Sequence, residues 1–186
     1  DPLSAGLKTE VSSFGQVVAE GFVSGPLAPT RQARLAVQTT QFGSWQRGYT
    51  PDTAGLRNGD ENRAAARLLI DWQPADRFKI SLNFNGSYNH GEPQRPQFNG
   101  EQLTVPANAA PGLIGFPRPN DARDVAFDSY IPKRQRNYQY QVGARADYDI
   151  SENVTISSLT SYIKNRLNFH QDLDYGTADV NNIRVF

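Results

Sequence analysis

The chain has no cysteine, which excludes a disulfide framework and thiolate metal sites. It has no methionine either, so residue 1 is not a translation start and the chain reads as a mature product or an excised piece. A charge excess is also missing. The sequence sets 19 Lys and Arg against 19 Asp and Glu over 186 residues, the basic residues are scattered, and no footprint for nucleic acid arises. No basic-plus-apolar leader is visible, and no apolar run approaches the roughly 20 residues of a spanning helix. A helical membrane protein is therefore excluded. Mean hydropathy is low, which leaves a membrane barrel open because its strands are polar at every second position.

What the chain does have is alternation. In Phe78 to Tyr88, FKISLNFNGSY, the even positions Phe78, Ile80, Leu82, Phe84 and Tyr88 are apolar or aromatic, while Lys79, Ser81, Asn83, Asn85 and Ser87 are polar. A period of two predicts an extended strand with one face of each kind. Similar segments are expected at Leu7 to Ser13, Gln16 to Leu27, Arg31 to Phe42, Asn62 to Trp72, Asn137 to Ile150 and Val154 to Lys164. The last is blurred by Ser and Thr on both faces. The polar faces carry Arg34, Arg63, Arg67, Asp71, Lys79, Asn83, Arg145 and Asp147.

Short and long connections alternate. Turns at 27–31, 73–77 and 151–153 are short, whereas polar, Gly- and Pro-containing loops fill 43–61 and 90–135, with a third at 165–178. In an up-and-down antiparallel sheet, alternate connections share a side, so all short turns fall together. Short turns opposed to long loops, with strands mostly of 11 or 12 residues, suit an outer-membrane barrel whose tilted strands need about 9 to 11. Trp72, Phe78, Tyr148 and Ile150 flank the short turns, and Tyr88, Tyr138 and Tyr140 lie toward the loops, as two interfacial girdles would. The fold class expected is all-β: an antiparallel up-and-down transmembrane β-barrel segment of about seven strands. Two alternatives stay open: a soluble β-sandwich presenting residues 90–135 as a recognition loop, and a small eight-stranded outer-membrane barrel needing a further strand in Thr177 to Phe186.

Three stretches resemble one family: VSGPLAPTRQARLAVQ (Val23 to Gln38), ENRAAARLLIDWQPADRFKISLNFN (Glu61 to Asn85) and VTISSLTSYIKNRLNFHQDLDYG (Val154 to Gly176). Their order and spacing are similar to the start of the barrel of TonB-dependent outer-membrane receptors. The resemblance implies import of a scarce nutrient such as an iron chelate, cobalamin or a carbohydrate across the outer membrane of a Gram-negative bacterium. It implies as partners the surrounding lipid, a plug domain and the TonB energising complex. Plug and partner-binding segment are not found in the chain, and the family's barrel has about 22 strands, so the domain expected for 1–186 is part of a barrel.

Ligand contacts are expected in the outer loops, where aromatic residues and Arg, a common recognition pairing, occur together: Trp45, Arg47 and Tyr49 in one, Arg95, Phe98, Phe116, Arg118, Arg123 and Tyr130 in the next. Arg63, Arg67, Lys79, Asn83, Arg145 and Asp147 are expected to face the lumen, some of them as ion pairs. His170, Asp172 and Asp174 fall at i, i+2, i+4 but read as a solvated loop, as do His90 and Glu92. Asn85-Gly86-Ser87 and Asn153-Val154-Thr155 match a glycosylation pattern by chance. With no catalytic set, phosphate loop or paired carboxylates, neither an enzyme nor a metal or cofactor is expected.

Overall fold

A computed structural model describes residues 2–97, 117–130, 134–172 and 182–185. The protein is all-β, 69% strand, and its main sheet is antiparallel. Among the described residues twelve strands follow in order: β1 (Ser4–Ser12), β2 (Gln16–Ala28), β3 (Arg31–Phe42), β4 (Gln46–Gly48), β5 (Arg57–Asn58), β6 (Glu61–Ala75), β7 (Phe78–Gly91), β8 (Asp124–Val125), β9 (Gln135–Ser151), β10 (Val154–Arg166), β11 (Phe169–Asp172) and β12 (Asn182–Val185). The chain divides into two compact units. One comprises Asp1–Gln41, Arg63–Asn89 and Asn137–Arg166; the other comprises Phe42–Asn62, His90–Arg136 and Leu167–Phe186.

The first unit holds the long strands, in the order β1-β2-β3-β6-β7-β9 with β10 on β9. Each long strand lies beside its predecessor, as hairpin connections dictate. Among the described residues β1 and β10 each have one neighbouring strand, so the sheet has two open edges. Three short turns come together as the alternating connection lengths predict, whereas the short turn Ser13–Gly15 lies at the opposite end of the sheet, next to the pair Val17 and Gln41. Gln73 N–H donates to Thr30 O at 2.9 Å, and Asp149 N–H donates to Arg77 O at 2.9 Å. The first of these bonds also explains a correction. Residues 73–77 read as a turn, yet β6 continues to Ala75 and the turn is Asp76-Arg77. Gln73 is still paired with the neighbouring hairpin.

Register fixes the faces. Lys8 lies opposite Glu20, and Glu20 opposite Gln38, so these three share one face. Leu7, Gly21 and Val37 share the other. By alternation the second face continues through Leu68, Ile70, Leu82, Phe84, Val142 and Tyr148. It is not covered: Leu7 is 81% exposed, Ile156 58% and Tyr148 51%. The buried hydrophobic side chains among the described residues are Val125, Ala126 and Phe127, all in the second unit.

Register also resolves β10, where alternation alone was blurred. Ser157 pairs with Asp147, Leu159 with Arg145 and Ile163 with Gln141, which puts Leu159 and Ile163 on the polar face. Ile156, Tyr162 and Lys164 fall opposite Tyr148, Val142 and Tyr140, on the apolar one.

The second unit corrects the expectation of irregular loops at 43–61 and 90–135. β4, β5 and β8 form a small sheet of order β5-β4-β8, in which β4 runs antiparallel to β5 and parallel to β8. Strands of two or three residues are too short to show a period. β11 and β12 form an antiparallel hairpin, with His170 opposite Arg184.

Candidate functional site

The polar face of the first unit is built as cross-strand ladders. Lys8 Nζ lies 3.5 Å from Glu20 Oε1, and Gln38 Nε2 donates to Glu20 Oε2 at 3.2 Å. Arg67 Nε donates to Asn85 Oδ1 at 2.6 Å, and Asn85 Nδ2 donates to Gln141 Oε1 at 3.4 Å, joining β6, β7 and β9. Toward the short turns, Ser81 Oγ donates to Asp71 Oδ1, Ser157 Oγ to Asp147 Oδ1 and Thr155 Oγ1 to Asp149 Oδ1. Arg145 Nε reaches Asp147 Oδ2 at 2.9 Å. The expected pairing of inward Arg with inward Asp therefore holds for Arg145 and Asp147, whereas Arg67 takes an amide and Asp71 a hydroxyl. Lys79 shares this face by alternation with Ser81, and Arg63 by alternation with Arg67. Asn83 points the same way: a Cβ on Gly143 would meet Asn83 Cβ at 3.9 Å.

A cavity of about 710 Å³ opens on this face, lined by residues of β1, β2, β3, β6, β7 and β9, among them Lys8, Phe22, Arg34, Arg67, Ser87 and Gln139. Six successive strands line one concavity, so the polar face is the concave one. Phe22 is the aromatic exception on it. Its ring carries the Arg34 guanidinium at 4.0 Å from the centroid, and it fits because Gly6 lies opposite. A Cβ at Gly6 would come within 2.6 Å of the ring. Sequence reasoning placed Arg34 on the polar face but did not single out Gly6, Lys8 or Phe22. The signal was an aromatic at a polar-phase position.

The second unit gathers several of the expected loop residues. Arg47, on β4, donates from Nε and Nη2 to Asp124 Oδ1 at 3.2 and 2.8 Å, and its Nη2 lies 3.3 Å from Asp121 Oδ2. Arg123 N–H donates to Asp121 Oδ1 at 2.8 Å, and its Nε lies 3.3 Å away. These bonds from Arg123, with Arg47 adding its charge, hold the Asp121 carboxyl below the usual carboxylate range, although partial desolvation works against them. Burial, and secondarily the charge of Asp124, pushes the Tyr49 phenol up; its hydroxyl donates to Pro117 O at 2.6 Å. Arg95 is only 3% exposed, with its guanidinium 5.4 Å from the Phe127 ring centroid, so it packs within the loops. Trp45 sits against Gly59, whose φ is +88°. Tyr130 is exposed and donates to Asp128 Oδ2 at 3.1 Å, and Arg118 is exposed. Phe98 and Phe116 lie outside the described residues.

Behind these side chains the backbone is pinned by amides. Gln46 Nε2 donates to Arg95 O at 2.6 Å, and Gln46 Oε1 accepts from Arg95 N at 2.9 Å and Asn58 Nδ2 at 3.0 Å. Glu92 accepts from Gly59 N–H at 3.1 Å. No group of three His, Cys, Asp or Glu able to hold a metal ion occurs among the described residues, and Asp174 lies outside them. No family model, curated protein or solved structure matches the chain.

Proposed function

We propose that the chain is a segment of the β-barrel of a TonB-dependent transporter in the outer membrane of a Gram-negative bacterium. In this reading the face bearing Leu7, Leu82, Val142 and Tyr148 meets lipid, and the concave face bearing Glu20, Arg67, Lys79, Asn83 and Asp147 lines a lumen. The observation that carries it is a broad apolar face left uncovered, with no acid on it, opposite a polar face tied across its strands by hydrogen bonds and an ion pair. A soluble sandwich would cover the apolar face with a second sheet. The aromatics also fall at two levels: Phe78 contacts Tyr148 near the short turns, at 6.3 Å between centroids, and Tyr140 contacts Tyr162 farther along, at 6.1 Å. From Phe78 to Tyr88, about 3.3 Å per residue and a tilt of about 40° give roughly 25 Å, the height of an outer-membrane apolar band.

The open edges of β1 and β10 would take further strands of a larger barrel, since unpaired backbone is not tolerated in hydrocarbon. The long loops would meet a small-molecule nutrient, which passes when an energised plug rearranges; the resemblance supplies the plug, the TonB complex and the class of cargo. The chain catalyses no reaction in this reading. The test is to express the full-length gene product and follow its fractionation, its heat-modifiable electrophoretic mobility and growth on a limiting iron chelate, cobalamin or carbohydrate. Outer-membrane recovery, a mobility shift and TonB-dependent growth on one nutrient are expected. A detergent-free soluble monomer, or growth indifferent to TonB on all three, would overturn the reading.

A further inference from the structure

The apolar face of the first unit carries its charges only at its margins. By alternation and register they are Arg31 beside the short turns, where the guanidinium lies 4.9 Å from the Trp72 centroid, and Lys164 and Arg166 at the far end of β10. All are cations. Lys164 lies opposite Tyr140 and Arg166 opposite Tyr138, and Tyr162 precedes them on the same face opposite Val142. Lys164 and Arg166 are exposed, and among the described residues neither has a carboxylate within ion-pair distance. Positions 164 and 166 follow Val154 by ten and twelve residues. At about 3.3 Å per residue and a tilt of about 40°, that is roughly 25 to 30 Å above the short-turn margin, just past the apolar band.

We propose that Lys164 and Arg166, with Tyr138, Tyr140 and Tyr162, form a site for the anionic phosphate headgroup of a membrane lipid at the loop-side margin of the apolar face. The inference rests on the membrane reading above and adds a partner to it. The occupant follows from charge and position. Two long cationic side chains can lay their stems on the apolar stripe and lift their heads to headgroup level, where tyrosines also prefer to sit. Two cations with no acid on the same face leave a charge that a zwitterionic headgroup matches poorly. Arg166 offers a planar fork to phosphate oxygens, and Lys164 a point charge.

The test uses the full-length gene product, first inserted in vesicles and scored by heat-modifiable mobility, then studied by native mass spectrometry in detergent. The probes are dioleoylphosphatidic acid, dioleoylphosphatidylcholine and inorganic phosphate. Phosphatidic acid should be retained in preference to phosphatidylcholine, and inorganic phosphate should not displace it. At about fivefold for each cation near an anionic headgroup, K164Q/R166Q should lower that preference roughly 30-fold, while R77Q at the opposite margin should leave it unchanged. Should K164Q/R166Q not insert, K164R/R166K must restore both insertion and preference. Insertion without lipid preference, equal binding by K164Q/R166Q, or displacement by inorganic phosphate overturns the site and leaves the membrane reading standing. Failure of the unaltered protein to insert in any vesicle overturns both.

Discussion

Leu82 and Ser81 are chain neighbours on opposite faces of β7, so one charge placed at each tests which face meets hydrocarbon. Leu82 lies four residues from Phe78 and six from Tyr88, the two aromatic levels. At about 3.3 Å per residue and a tilt of about 40°, it sits roughly 10 Å above the first level and 15 Å below the second, which in the membrane reading is near the midplane of the bilayer. An Arg on a lipid face at that depth costs about 2 to 4 kcal/mol, which is roughly a 30- to 1,000-fold loss of the folded population at 1.36 kcal/mol per decade. Ser81 faces the other way and donates to Asp71 Oδ1 at 2.5 Å. Ser81→Arg exchanges that bond for a cation beside the same carboxylate, in water, and should change stability by less than about 1 kcal/mol. The measurement is equilibrium unfolding of the full-length gene product in vesicles, followed by heat-modifiable mobility. A gap of at least about 1 kcal/mol with Leu82→Arg the worse is expected, the lower bound being set by the two ranges above. Equal costs would refute the membrane reading of the apolar face, and a larger cost for Ser81→Arg would reverse the two faces.

The polar face and the loop unit support further predictions. Asn83→Leu puts an apolar side chain on the concave face and, in the transporter reading, should lower nutrient uptake while leaving vesicle insertion intact; lost insertion would contradict it. Arg47→Ala strips Asp124, itself 9% exposed, of both guanidinium bonds to its Oδ1, and should destabilise the loop unit by about 1 to 3 kcal/mol, read as faster amide exchange at Arg123 to Val125. Gly48→Ala would bring a Cβ to 2.1 Å from Thr53 O, so the turn at Thr50 to Thr53 must move, at a cost of about 1 to 3 kcal/mol, and proteolysis within residues 43–61 should rise. Asp121 has a carboxyl pKa lowered from its usual 3.8. Its ionised form is therefore favoured by folding, and its contribution is present above the unfolded pKa and lost as pH falls through the lower folded one. Exchange at Arg123 should be insensitive to this group between about pH 5 and 7 and rise below about pH 4, and Asp121→Asn should remove that step.

The long strands were legible because their period is two and their turns are short; Arg31–Phe42 has the bounds that alternation predicts. The loop strands were not. β5 is two residues long and held by Gln46, Asn58 and Glu92 reaching backbone groups up to 49 positions away, and such contacts leave no local pattern. The expected ligand residues divide for the same reason: aromatic and Arg residues in a loop look alike in sequence whether they face out, as Tyr130 does, or pack inside, as Arg95 does. β10 shows a third limit. Its Ser and Thr hide the phase, and only the pairing with β9 shows that Leu159 and Ile163 stand on the polar face beside Arg145 and Gln141.

Those two side chains sharpen what the concave face has to meet. Leu159 is 80% exposed and Ile163 51%, and Leu69 joins them on that face by alternation from Arg67. In a lumen filled by water alone, apolar side chains at these positions would gain nothing from burial. Against a protein surface, removing about 100 Å² of apolar area from water at each would be worth about 2 to 3 kcal/mol per residue. In the transporter reading Leu159→Ser and Ile163→Ser should therefore leave vesicle insertion unchanged and weaken only what the concave face meets, which protease protection of the full-length gene product would report as faster cleavage of the segment seated there. Unchanged cleavage, with insertion also unchanged, would mean that the concave face at β10 meets water.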